Sequence, residues 1–382
     1  MTIAIVGVGE TDYAFADPRS EPEMVLDAIH RALDDAGLDA ADIDGFVSES
    51  YSTIRYAPVD EIAQRLRLKD RAFSAQLSLA GAGTVGAPQM AQLAIEAGLA
   101  SVVVSYYGIN LSGRPGSTYA FHASDLAKAA FEMPFGFYGQ PVYFAAMAQR
   151  YAHKFGLTPE QLGSVAVAAR AHAATTPNAL KRKPLSLDDY LAQPLLADPL
   201  RPLDCCLVND GAAAFVMTSV ERARDLRKPA VVVAGTGFGA KNVNQAQYFS
   251  QSSDLLSTAG TISGPRAFKS AGLSPADVDI AEIYDCFTIS MLIQLEDVGL
   301  ALKGEGAAFA ASGAIGPGGS LPVNTHGGLL SQSYLVGQNH VIEAVRQLRG
   351  ERGAGQVPDA EVALVTGLGA QDHATLLLTR DR

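Results

Sequence analysis

Few side chains here could do covalent or metal chemistry, and they are scattered. The three cysteines, Cys205, Cys206 and Cys286, form no CxxC pair, and the seven histidines show no ligand spacing with carboxylates. That excludes a disulfide framework and gives zinc no support. Ser78 and Thr84 lie in LSLAGAGTVGAP at 77–88, but an alcohol nucleophile needs an adjacent base, and the local sequence offers none. GVGETD at 7–12 and GTGFGA at 235–240 lack the last glycine of a dinucleotide fingerprint, and no Walker lysine follows GAIGPGGSLPVNTHGG at 313–328. Read by themselves, Tyr284 in EIYDCFT (282–288) is an ordinary strand residue and Tyr334 a helix-start residue packing between layers, while Asn324 and His326 lie in the glycine-rich NTHGG (324–328). A tyrosine, with an ordinary pKa near 10, needs donors aimed at its phenolate to act as a base at neutral pH; His326 or a backbone amide could serve. His326 fits a hydrogen-bonding role and a turn-stabilising role equally. Asp285 should face away from Tyr284 on a regular strand and so be structural, with Cys286 on the tyrosine's side.

The elements that must position these residues follow from pattern. The 382 residues are 48% hydrophobic and 18% charged, which describes a core-rich globule. A net charge of −11 argues against nucleic acid or an anionic membrane as partner. No run reaches the roughly 18–20 apolar residues of a membrane span, and MTIAIVGVGETDYAF has no basic n-region, so a reducing cytoplasm is expected. Ile3–Val6, Gly45–Val47 and Ser101–Ser105 read as strands. Glu23–Ala36 reads as a helix closed by Gly37, and Gly83–Gly98 as a buried helix.

The sequence also repeats. AGLDAADID at 36–44 recurs as AGLSPADVD at 271–279, IAIVGVG at 3–9 as VVVAGTG at 231–237, and more weakly Val85-Gly86 as Val336-Gly337. Motifs duplicated in order imply two similar α/β halves, expected at 1–228 and 229–382. The stretch 113–203 has no counterpart. It carries Tyr119, Phe121, Phe131, Phe135, Phe137, Tyr138, Tyr143 and Phe144, a helical run near Ala145–Phe155, and KRKP at 181–184. It is either a lid over substrate or an insertion that packs its rings locally.

These strings, with LADPLRPLDCCLVNDGAAAFV at 196–216, NTHGGLLSQSYLVGQ at 324–338 and VTGLGA at 365–370, resemble the thiolase superfamily, specifically its sterol-carrier-protein-x, lipid-transfer branch. The resemblance spans nearly the whole chain. It implies the thiolase fold: two βαβα halves in a layered α-β-α-β-α core, with a loop domain inserted in the first. The departures from the family carry the chemistry. Where a thiolase has its nucleophilic cysteine, this chain aligns Gly81; where it has its acid/base cysteine, near Val365 or Thr366, none is present. Tyr334 replaces the histidine of the GHP motif.

Paired tyrosines at the positions of Tyr284 and Tyr334 resemble the steroid side-chain-degrading aldolases of that branch. The resemblance implies retro-aldol cleavage of a β-hydroxyacyl-CoA, without a covalent intermediate, to a ketone and a shortened acyl-CoA such as propionyl-CoA. A thioester enolate needs neither a lysine nor a metal if backbone donors hold it, and Gly81, Gly367 and Gly369 are the expected oxyanion positions, with Asn324 orienting a water or carbonyl. No cofactor beyond the CoA substrate is expected. The resemblance further implies a homodimer working with an OB-fold, zinc-ribbon partner, and Lys181, Arg182 and Lys183 are a candidate basic patch for CoA. The rivals are a non-catalytic acyl-CoA or lipid carrier and an acyltransferase subunit that borrows a cysteine.

Overall fold

The structure, a computed structural model, describes residues 2–50, 57–111, 123, 126–241 and 254–381. Among the described residues nine strands form one mixed sheet: β1 (Ile3–Glu10), β2 (Gly45–Glu49), β3 (Phe73–Leu77), β4 (Val102–Asn110), β5 (Asp210–Ser219), β6 (Val231–Ala240), β7 (Ile280–Glu282), β8 (Val362–Leu368) and β9 (Asp372–Arg380). Their order is β3-β2-β4-β5-β1-β6-β9-β8-β7. The two halves join where β1 and β6 pair antiparallel through Ala4↔Val232 and Ile5↔Val231. Outward from that seam the order is β1-β5-β4-β2-β3 on one side and β6-β9-β8-β7 on the other, the same but for one edge strand.

The longer helices are α1 (Glu21–Ala36), α2 (Gly81–Glu96), α3 (Gln140–Phe155), α4 (Pro159–Ala174), α5 (Gly260–Ala271), α6 (Thr288–Asp297) and α7 (Gln338–Arg349). α1 covers β1, β4 and β5 while α5 covers β6 and β9; α2 and α7 lie between, each touching strands of both halves. This is the layered α-β-α-β-α thiolase architecture. No helix among the described residues is long and apolar enough to cross a membrane.

The repeated strings occupy equivalent places, and the physical reasons are the same in each half. A Cβ on Gly7 or Gly9 would lie 2.1 Å from the Ala32 carbonyl oxygen or 2.2 Å from that of Ala28; on Gly235 or Gly237 it would lie 2.5 Å from Ala267 O or 2.0 Å from Ser263 O. Only glycine lets α1 and α5 lie this close to their strands. Both strands break register after the same step, between Ile5 and Gly7 and between Val233 and Gly235. Asp44 accepts from the N–H groups of Ser101 and Val102, and Asp279 from those of Glu361 and Val362, so each AGL motif ends on a carboxylate that anchors the start of the neighbouring parallel strand, β4 or β8. The weak Val-Gly match differs: Val85-Gly86 lies inside α2, whereas Val336-Gly337 precedes α7.

In the insertion, α3 begins at Gln140 rather than near Ala145, and α4 follows it. Phe144 stacks on Phe287 at 4.2 Å and Tyr143 is buried, but Phe131 and Phe135 are 70% and 86% exposed. Tyr119 and Phe121 lie outside the described residues.

Candidate active site

Tyr284 sits in the irregular segment between β7 and α6, and Tyr334 in the turn before α7. The order of the sheet brings these two segments together, and the phenol oxygens lie 3.3 Å apart. Burial pushes both phenols well above the ordinary tyrosine value, helped for Tyr334 by Tyr107 and Cys206 and for Tyr284 by Tyr334 and Cys286. The pair is therefore two neutral phenols at neutral pH.

The start of α2 lies against this pair. Ala80, its N-cap, has φ 52° and ψ −133°, the strained backbone of a strand-to-helix elbow, and its side chain is only a methyl. The elbow's apex is thus one residue before Gly81 and holds no nucleophile. A Cβ on Gly81 would lie 2.4 Å from Tyr284 Cε2, and one on Gly367 would lie 1.9 Å from the Gly81 carbonyl oxygen. Glycine at both positions lets helix, tyrosine ring and β8 meet. Gly83 and Thr84 turn their N–H groups onto Ala80 O, so Gly81 and Ala82 carry the first-turn donors that have no acceptor within the helix. Gly369 does not fit the oxyanion role, because its N–H already bonds Asp372 O at 2.8 Å in the β8–β9 turn.

Two other expected site residues are occupied elsewhere. Asn324, at φ 55°, spends its amide on Ile283, accepting from its N–H at 2.7 Å and donating to its carbonyl at 2.9 Å, so it fixes chain geometry rather than a water. His326 is fully buried and hydrogen-bonds neither phenol among the described contacts. Its Nδ1 faces Glu282 Oε2 at 2.9 Å, off the alignment of a good hydrogen bond, and Asn339 Nδ2 lies 3.2 Å from Nε2. The histidine beside Tyr284 is His340, missed in the sequence, with ring centroids 6.4 Å apart; His326 lies behind it at 4.8 Å. Asp285 accepts from Leu329 N–H at 2.8 Å, the structural role expected of it.

The scattered histidines hid one real cluster. Ligand atoms of Glu282, His326 and Glu343 come within 4.8 Å of one another. Arg352 Nε, however, donates to Glu343 Oε1 at 2.7 Å, and Thr325 and Gln347 bond the same oxygen. Burial alone would lower the pKa of His326, but Glu282, Glu343 and Asp285 together raise it. Glu343 thus already has a counter-charge in the buried guanidinium of Arg352, within the same cluster.

The thiols offer no alternative nucleophile. All three cysteines are free, and burial pushes Cys205 and Cys286 up to about 12 and Cys206 well above its ordinary value. Thr84 donates its hydroxyl to Gly81 O and Val336 O, tying α2 to the turn before α7. Beside Leu368 and Gly369 a cleft opens between Phe144 and Met147 of the insertion and Lys241 and Thr258. Its lysine is Lys241; the 181–183 basic run does not line it, and Lys181 instead lies over the Phe15 ring.

Residues 241–380 match the family model described as thiolase C-terminal domain-like. Over 386 residues the chain is 37% identical to a 17-hydroxy-3-oxo-4-pregnene-20-carboxyl-CoA lyase of Mycobacterium tuberculosis, covering 98% of each. It is 34% identical to a steroid side-chain-cleaving aldolase of Thermomonospora curvata, covering 99% of this chain and 98% of that one. A solved structure described as the Ltp2-ChsH2(DUF35) aldolase superimposes with a TM-score of 0.92 at 34% identity, covering 100% of this chain and 98% of the other. The chain belongs to the thiolase-like family, in the branch that includes the steroid side-chain-cleaving aldolases.

Proposed function

We propose that this protein is a carbon–carbon lyase that cleaves a β-hydroxyacyl-CoA by a retro-aldol reaction. The observation that carries this reading is a pair of neutral phenols 3.3 Å apart beside an elbow with no nucleophile. Retro-aldol cleavage moves one proton from the β-hydroxyl to the α-carbon. One phenol accepts the hydroxyl proton as it passes its own across the tyrosine contact, and the other delivers a proton to the α-carbon. The O–H electrons become the ketone C=O, and the broken C–C bond leaves its pair on the thioester enolate. Two phenols in contact can relay in this way without either existing as a free phenolate. The N–H groups of Gly81 and Ala82 would hold the enolate oxygen, and the Phe144–Met147 side of the cleft would receive the acyl part.

The acyl part is steroid-like, by similarity to relatives named for steroid CoA cleavage, giving a ketone and a shortened acyl-CoA such as propionyl-CoA. A DUF35 chain would be the partner, since that structural relative is described with one, and an OB-fold with a zinc ribbon is the form expected of it. The subunit would be a homodimer, and three free thiols suit a reducing cytoplasm. The test is ketone release from a steroid β-hydroxyacyl-CoA by the chain purified with such a partner. Tyr284→Phe and Tyr334→Phe should each lower kcat by about 100-fold or more with little change in KM. Wild-type turnover in both variants would overturn the assignment.

A further inference from the structure

Neither phenol is held by its own hydroxyl alone; each tyrosine's backbone is gripped by a buried carboxamide. We infer that Gln294 and Asn209 are positioning residues that set the contact between the Tyr284 and Tyr334 phenols, an inference resting on the retro-aldol reading above.

Gln294, fully buried on α6, uses all four hydrogen bonds a carboxamide can make. Its Nε2 donates to Tyr284 O at 2.7 Å and to Ser290 O at 2.9 Å. Its Oε1 accepts from Thr366 Oγ1 at 2.9 Å and faces His373 Nε2 at 3.2 Å. Thr366 Oγ1 in turn accepts from Tyr284 N–H at 3.0 Å. Both main-chain polar groups of Tyr284 therefore end on one triangle. Its threonine is one of the two positions, Val365 and Thr366, near which the family's acid/base cysteine was expected.

The orientation of the amide follows from its neighbours. Ser263 Oγ lies 2.6 Å from His373 Nδ1, and burial keeps this imidazole neutral. The Tyr284 and Ser290 carbonyls can only accept, so they take Nε2 of Gln294 and leave Oε1 for the ring; a neutral His373 then carries its proton on Nε2 and accepts from Ser263 at Nδ1.

Tyr334 has a simpler clamp. Asn209, just before β5 and 1% exposed, accepts from Tyr334 N–H at 2.7 Å and donates to Ser333 Oγ at 2.8 Å. The two carboxamides share no hydrogen-bond partner among the described contacts and come from different halves of the chain. Losses from two such independent sites should multiply. If both act on one phenol–phenol contact, breaking it once leaves the second change little to remove.

The experiment is a two-by-two set, Gln294→Met and Asn209→Leu singly and together, in the complex with its partner. Each single variant should lower kcat about 10- to 100-fold with KM nearly unchanged, and the double variant should fall no further than the weaker single. Asn209→Asp keeps the acceptor for Tyr334 N–H and should recover most of the loss. A double variant at the product of the two single losses, or losses confined to KM or thermal stability, would overturn the inference. Fluorine NMR of fluorotyrosine-labelled protein gives a readout independent of substrate: the Tyr284 and Tyr334 resonances should shift in both single variants. Unmoved resonances would refute the positioning role. An inactive wild type whose variants still shift these resonances would refute only the lyase reading.

Discussion

The two halves of the molecule share a skeleton and almost none of its chemistry. Paired glycines, the register break and the anchoring aspartate recur at equivalent positions. Yet Tyr284, Tyr334, His326, His340, Glu282, Glu343 and Gln294 all belong to the second half. Where α5 and β9 present Ser263 and His373, opposite Gly237 and Gly239, the first half presents Ala28 and Ala212, opposite Gly9 and Thr11. The first half contributes an elbow with a methyl at its apex, a glycine under the tyrosine ring and Asn209. The frame is thus present twice, and polar side chains stand in the half that holds the tyrosine pair where small apolar ones stand in the other.

The largest expected effect tests whether the second half's buried cluster is really charged. Glu343→Leu leaves Arg352 beside Glu282 and His326 without its main counter-charge, and should cost about 3–5 kcal/mol of stability in urea unfolding. A loss under about 1 kcal/mol would mean that Glu343 and Arg352 do not form the buried ion pair described. Next comes the point where the halves touch. Gly81→Ala would drive a methyl into the Tyr284 ring, and should lower kcat about 100-fold while the protein stays folded. Activity close to wild type would show that the ring tolerates displacement. The frame itself is tested by Gly7→Ala and Gly235→Ala, each expected to cost about 2–3 kcal/mol because a helix carbonyl blocks the added methyl. Clearly unequal losses would break the equivalence of the halves.

The frame was legible in the sequence because it is written twice: its glycines act within one strand–helix unit, and its aspartates, though they reach across 57 and 82 residues, stand in the repeated motif. The tyrosine pair was legible through its motifs. The residues that hold it were not: Gln294 and Thr366 bond each other across 72 residues, and Asn209 reaches Tyr334 across 125. Such partners are set by strand order, which no local pattern encodes. The same distance misled in the other direction. Asn324, His326 and Gly369 look like free donors in glycine-rich strings, but each is buried or bonded away from the phenols: Asn324 on Ile283, His326 beside Glu282, and Gly369 N–H on Asp372 O.

The smallest effect bears on the sharpest difference between the halves, His373 against Ala212. Burial lowers the His373 pKa to about 3, whereas an unfolded histidine titrates near 6.5. Between those values the unfolded chain binds the extra proton and the folded chain does not. Stability is therefore lost as pH falls below about 6.5, by about 1.4 kcal/mol per pH unit until about pH 3. At pH 7 the group contributes no such dependence. In His373→Gln a carboxamide that cannot titrate faces Gln294 and Ser263, so only the wild type should show this term. From pH 6.5 to 5 the wild type should lose about 2 kcal/mol more than the variant, read from urea midpoints at each pH. Equal slopes would mean that the folded protein protonates His373 readily. Nδ1 would then carry a proton and could not accept from Ser263. The Gln294 amide would keep its orientation, because the Tyr284 and Ser290 carbonyls hold its Nε2 and an imidazolium Nε2–H still points at Oε1; only the Ser263 contact would reverse.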